Sequence, residues 1–163
     1  MLFSPPEELL FELTLRNNDA LNFAKAYATV EPSISDYNWA LQDWRCSENP
    51  ILSTMEVSAI LGIALGFACI NQLNFEWGIN DVSDTDCVLV LVHKEFELIE
   101  APFQITSQFM QQDERDLEEV FATITRKSKG IFGKQPRGTT IPISLPEFPS
   151  NTWRPLLNCF VQE

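Results

Sequence analysis

Residues 57–70 carry no charged side chain, hold Gly62 and Gly66, and lead within a few positions to an alternation of Phe75, Trp77 and Ile79 with more polar neighbours. A helix that is apolar almost all the way round must be covered on most sides, so this block predicts the centre of a domain: a buried helix feeding a sheet. Its apolar run, 59–70, is interrupted by two glycines and falls short of the ~20 residues that cross a bilayer. The expectation is a core helix, opened by Ser53 or Thr54, with Glu56 in its first turn and Gln72 near its end. Gly62 and Gly66 stand on one face, and Ala59 and Cys69 continue that strip of small side chains. Each glycine costs about 1 kcal/mol relative to alanine in a helix, which close approach of another backbone would offset.

The flanking sequence supplies helices on both sides. Ser4, Pro5 and Pro6 mark a helix start, with Glu7 and Glu8 at its positive end and Leu9, Leu10 and Leu13 on one face. Asn17, Asn18 and Asp19 read as a break after Arg16, with Asp19 capping a second helix that carries Phe23, Tyr27 and Val30 up to Pro32. Asp36 is placed to cap a third, with Trp39 or Leu41 and Trp44 inward. After the central helix, 75–80 has the period of a half-buried strand, 81–86 reads as a polar turn, 87–92 as a second strand and 96–100 as a third. A loop around His93, Lys94 and Glu95 would join the last two.

Pro102 suits the first turn of another helix burying Phe103, Phe109 and Met110. Asp113 is read as the cap of an amphipathic helix with Leu117, Val120, Phe121 and Ile124 inward and Glu118, Glu119 and Thr123 outward. From Gly130 onward three glycines and five prolines predict an irregular segment, docked by Trp153, Leu156, Leu157 and Phe160. The reading is an α+β fold of one domain: N-terminal helices, a buried central helix, a small antiparallel β-meander, C-terminal helices and an irregular tail. Its core is placed at 36–128, with 129–163 as a Pro/Gly-containing C-terminal segment.

The Leu61-Gly62-x-x-x-Gly66 helix, the strand through Trp77, the acidic turn at Asp81, the aliphatic strand after it and Pro102 together resemble a family of small bacterial domains of unknown function. The resemblance covers 36–112, under half of the chain. It implies the fold and a bacterial origin, and it brings no chemistry with it.

Charge and cysteine narrow the partners. With a net charge of −12, the general surface repels nucleic acid and anionic membranes, so a macromolecular partner should be basic, although acidity also serves solubility. Cys46, Cys69, Cys87 and Cys159 are widely spaced in mostly apolar surroundings, without a Cys-x-x-Cys pair. Buried reduced thiols are the expectation, and spacing alone leaves a disulfide open. Pro5, Pro6, Glu7 and Glu8 stand where a secretory signal would be basic, which points to the cytoplasm.

Candidate chemistry fails on spacing. His93 is the single histidine, and Cys87, six residues away on one strand, would lie about 20 Å from it. Counted from Asp81, the sixth and twelfth positions of a calcium loop hold Asp86 and Val92 instead of glycine and glutamate. Around Gly133 and Gly138 a phosphate loop would need lysine directly after the second glycine, where Thr139 stands. No catalytic, cofactor or metal residue is assigned.

The expected function is non-enzymatic protein binding of the immunity or antitoxin type, masking a basic partner through Asp81, Asp84, Asp86, Glu95, Glu97 and Glu100. A basic hook of Arg126, Lys127, Lys129, Lys134 and Arg137 forms the opposite charge pole. Two other readings stand beside it. One is a small-ligand protein or enzyme with a pocket between the central helix and the meander, lined by Trp77 and Cys69. The other is a self-associating module, a homodimer in which the hook meets the acidic face of a second copy.

Overall fold

A computed structural model describes residues 1–83, 86–112, 116–130, 145–149 and 153–160, with 158–160 described by backbone alone. The fold is α+β. Strands β1 (Leu2–Phe3), β2 (Phe75–Ser83), β3 (Asp86–His93) and β4 (Ile99–Glu100) form one antiparallel sheet in the order β1-β2-β3-β4. The helices are α1 (Glu7–Ala24), α2 (Ile34–Cys46), α3 (Thr54–Gln72), α4 (Pro102–Met110) and α5 (Leu117–Ser128). Short 3-10 segments follow at Lys25–Tyr27 and Arg154–Phe160.

α3 is the predicted central helix with the predicted bounds. Ser53 caps it, its hydroxyl accepting from the Glu56 N–H while the Glu56 carboxylate accepts from the Ser53 N–H at 2.7 Å. With 19 residues it is long and apolar enough to cross a membrane, but the fold already occupies its surface: Val57, Leu61, Ile63, Leu65 and Cys69 are all fully buried. The small-residue strip accommodates aromatic rings rather than a backbone. A Cβ on Gly66 would fall inside the Trp77 indole of β2, 2.6 Å from Cζ2, and one on Gly62 would stand 2.6 Å from the Phe103 ring of α4. Trp77 and Phe103 stack on each other, their centroids 6.2 Å apart, so one aromatic wedge fills both notches. Thr106 of α4, fully buried beside it, donates its hydroxyl to the Ser58 carbonyl at 2.8 Å and fixes the two helices in register. The Trp77 Nε1–H is buried without a hydrogen-bond partner among the described residues.

The N-terminal region departs from expectation. α1 runs unbroken through Asn17, Asn18 and Asp19, so Asp19 caps nothing. Leu9, Leu13, Ala20 and Ala24 lie on one continuous stripe, and that tertiary contact outweighs the few tenths of a kcal/mol each polar residue costs in helix propensity. Leu10 turns outward, and Val30 is 86% exposed. At α2 the cap is Ser33, and Asp36 occupies the third helical position as the other half of a capping box. Leu41 is buried whereas Trp39 faces solvent. Trp44 donates its indole N–H to the Leu52 carbonyl at 2.9 Å and so ties the α2–α3 connection. At α5 the cap is Asp116, which accepts from the Glu118 N–H; Asp113, expected in that role, lies outside the described residues.

The sheet is larger than the predicted three-stranded meander. β1 adds a fourth strand, pairing Leu2 with Asn80 and Phe3 with Ile79. Residues 81–86 are not one turn: β2 continues past a register shift at Asp81 to Ser83, which pairs with Asp86. β4 is only two residues long, because 94–98 folds back on His93. There the His93 Nδ1 accepts from the N–H groups of Glu95 and Phe96, both at 3.1 Å, and its ring packs edge-on to Phe75. Asn74, in the left-handed region at φ 62°, turns α3 into β2 and accepts at its carbonyl from the Lys94 N–H.

The core reaches beyond 36–128 at both ends, since Phe3, Leu9, Leu13 and Leu157 belong to the same buried cluster as α3 and the sheet. Ser4 forms a parallel bridge with Glu147, and Phe148 packs edge-on to Phe3 at 5.8 Å. The C-terminal segment thus docks on β1.

Candidate protein-binding surfaces

The hairpin between β2 and β3 projects one set of acids. Asp86 is exposed at the start of β3, and Asp81 is half-buried opposite Cys87 in the strand register. Burial, with Asp81 and Asp86 beside it, pushes the Cys87 thiol up from its ordinary pKa. Asp84 lies outside the described residues.

Glu95 and Glu97 are exposed at the other end of the sheet, on the 94–98 loop beyond His93. Seven steps along β3 separate the two ends, about 23 Å at 3.3 Å per residue, so these acids do not form one compact face.

Glu100 is a correction. It is 7% exposed and accepts from Lys127 Nζ of α5 at 2.9 Å, so its carboxylate is not offered to a partner, and the 39% exposed Lys127 side chain is already paired. A carboxylate brought under the sheet needs a cation, and the last turn of α5 supplies it. The expected acidic face and basic hook therefore meet inside one chain. Of the rest of the hook, Arg126 and Lys129 are exposed, Arg126 donating to Thr123 Oγ1 at 3.2 Å, while Lys134 and Arg137 lie outside the described residues.

The pocket expected between the central helix and the meander is also corrected, because its space is filled. Trp77 occupies the notch at Gly66, Phe67 closes on it edge-on at 6.0 Å, and Cys69 is fully buried, its thiol pushed up to about 12 by burial and then by Glu100. A cavity of about 430 Å³ opens instead between α1 and α3, lined by Arg16, Asp19, Phe23, Leu52, Glu56 and Ile60. Asn22 lines it too, and its charged groups are engaged locally: Arg16 faces Asp19 at 3.7 Å, and Glu56 caps α3. The thiols differ from one another as well, with Cys46 exposed, Cys69 buried and Cys87 between, and the Cys159 side chain lies outside the described residues.

Sequence reasoning passed over the outer face of α1. Glu8, Phe11, Glu12 and Leu15 recur there at helical spacing, and Phe11 is 64% and Leu15 43% exposed. Beside this face runs an open groove of about 1090 Å³, between the start of α1 and Glu147, Phe148, Trp153 and Arg154. A smaller hollow of about 490 Å³ extends it over Phe11 and Glu12. The available signal was the apolar triplet Leu9, Leu10 and Leu13 plus Phe11 and Leu15, which is too wide for one buried stripe.

No family model, curated protein or solved structure matches the chain.

Proposed function

We propose that this chain is a bacterial, cytoplasmic protein-binding domain of the immunity or antitoxin type, without catalysis of its own, that masks a partner with a basic surface. Its kinship with small bacterial domains that share the Leu-Gly-x-x-x-Gly helix and Trp-containing strand is part of the same proposal. The observation that supports it most is a net charge of −12 with exposed acids remaining after the sheet's own pair, Glu100 with Lys127, has closed. Such a surface steers a basic protein and repels nucleic acid, and its effect lies mainly in the association rate.

The test uses purified products of genes adjacent to this one that carry a net positive charge. Association rates are followed by stopped flow from about 0.05 to about 0.5 M salt, over which the Debye length falls severalfold. A rate that drops at least about tenfold supports the reading. A rate indifferent to salt removes the electrostatic argument, and hydrolysis or group transfer by the chain alone would overturn the non-enzymatic assignment.

A further inference from the structure

α1 carries apolar residues on two sides. Leu9, Leu13, Ala20 and Ala24 face the core, whereas Phe11 and Leu15 face outward and are 64% and 43% exposed, with Leu10, 37% exposed, on the flank between the two faces. An apolar stripe left in water on a helix that already has a buried face marks a contact surface. The groove beside it gives that stripe a wall: Trp153 and Phe148 on one side, and the first turns of α1 on the other. Its rim is unbalanced in charge, with Glu7, Glu8, Glu12 and Glu147 against Arg154 alone among the described lining residues.

We propose that this groove is the docking site for a basic amphipathic helix of the partner protein, a proposal that rests on the protein-binding reading above. From Glu7 to Leu15 the face spans eight helical steps, about 12 Å at 1.5 Å per step, which matches two turns of a helix laid alongside. Leucine-type side chains at every third and fourth position of the guest meet Phe11, Leu15 and Trp153, and its flanking lysines or arginines meet the glutamates. Charge complementarity selects this guest over a second copy of the chain, which is itself strongly acidic. The anchor is Phe11, because an exposed aromatic ring that a partner covers supplies most of the buried area at such sites.

The experiment titrates the intact chain by calorimetry with a synthetic Lys/Leu peptide of about 18 residues whose leucines follow helical spacing, and with a scrambled peptide of the same composition. The patterned peptide should bind at least about tenfold more tightly than the scrambled one. Phe11→Ser should lose about tenfold or more, and Glu8→Lys combined with Glu12→Lys should abolish binding. Asp81→Asn with Asp86→Asn should stay within about twofold. Each variant alters exposed or half-exposed groups, and an unchanged melting temperature verifies its fold. Equal binding of the two peptides, an unaffected Phe11→Ser variant, or no binding of either peptide overturns the docking site. A loss that follows Asp81 and Asp86 instead moves the surface to the hairpin. The protein-binding reading fails separately, on the salt dependence of the partner's association rate.

Discussion

Gly66→Ala isolates the packing on which the centre of the molecule depends. In an exposed helix the change would stabilise by about 1 kcal/mol through backbone propensity. Here the added methyl enters the Trp77 six-membered ring, whose Cζ2 would stand 2.6 Å and Cζ3 3.3 Å away. The indole packs against Phe67 and Phe103, so it can retreat only by displacing one of those rings with it. Overpacking a core by one methyl costs typically about 1–3 kcal/mol, and a clash with a braced ring belongs at the top of that range. The net loss should be about 2 kcal/mol.

Trp77→Phe removes the atoms that collide and also the buried Nε1–H that lacks a partner, which returns part of the ~3 kcal/mol lost by truncating a buried aromatic ring. In that background Gly66→Ala should be neutral or stabilising. The coupling energy of the double-mutant cycle is then about 2–3 kcal/mol, read from urea unfolding at constant m. If Gly66→Ala costs the same with Trp77 and with Phe at 77, or stabilises the wild type, the wedge argument is wrong.

Other outcomes follow from the same geometry. Gly62→Ala should cost less than Gly66→Ala in the same unfolding assay, because Phe103 is half-buried and can swing outward. Lys127→Ala, which leaves Glu100 buried without its cation, should cost about 1–2 kcal/mol, more than Glu100→Gln; equal costs would show the pair to be solvated. Tyr37 is raised to about 12 by burial and then by Glu31 and Asp36, so the native state holds its proton where the unfolded chain releases it. Its stability contribution is complete below pH 10 and is lost as pH rises toward 12, by up to about 2 kcal/mol; Tyr37→Phe should flatten melting temperature against pH in that window. In a Cys159→Ser background, a thiol reagent should label Cys46 fastest and Cys87 more slowly, and Cys69 only at the rate of unfolding.

The elements legible in the sequence were those with a local cause. Ser53 and Glu56 announce a capping box, Pro102 fits a first helical turn, and Phe75, Trp77 and Ile79 alternate because only one face of that strand meets α3. What escaped depends on partners far away in the chain. Leu2 and Phe3 form a strand only because Asn80 and Ile79 offer an edge, and the Asn17 to Asp19 stretch stays helical because Ala20 and Ala24 beyond it are buried. The candidate surfaces follow the same rule. Exposure of Asp86 and Glu97 could be inferred from local polarity, whereas the burial of Glu100 needed Lys127, 27 positions later, and the groove beside Phe11 needed Glu147, Phe148, Trp153 and Arg154.

The bridge between Ser4 and Glu147 sets a clock on the protein's synthesis. β1 can pair with β2 once Asn80 has been made, but its other edge waits for Glu147, 67 residues later (147 − 80). At roughly 5–20 residues per second that is an interval of about 3–13 s. During it the Ser4 backbone N–H and carbonyl, later paired with Pro146 and Phe148, stay open to any passing strand, so the nascent chain is exposed to mispairing there until residues 146–148 have been made.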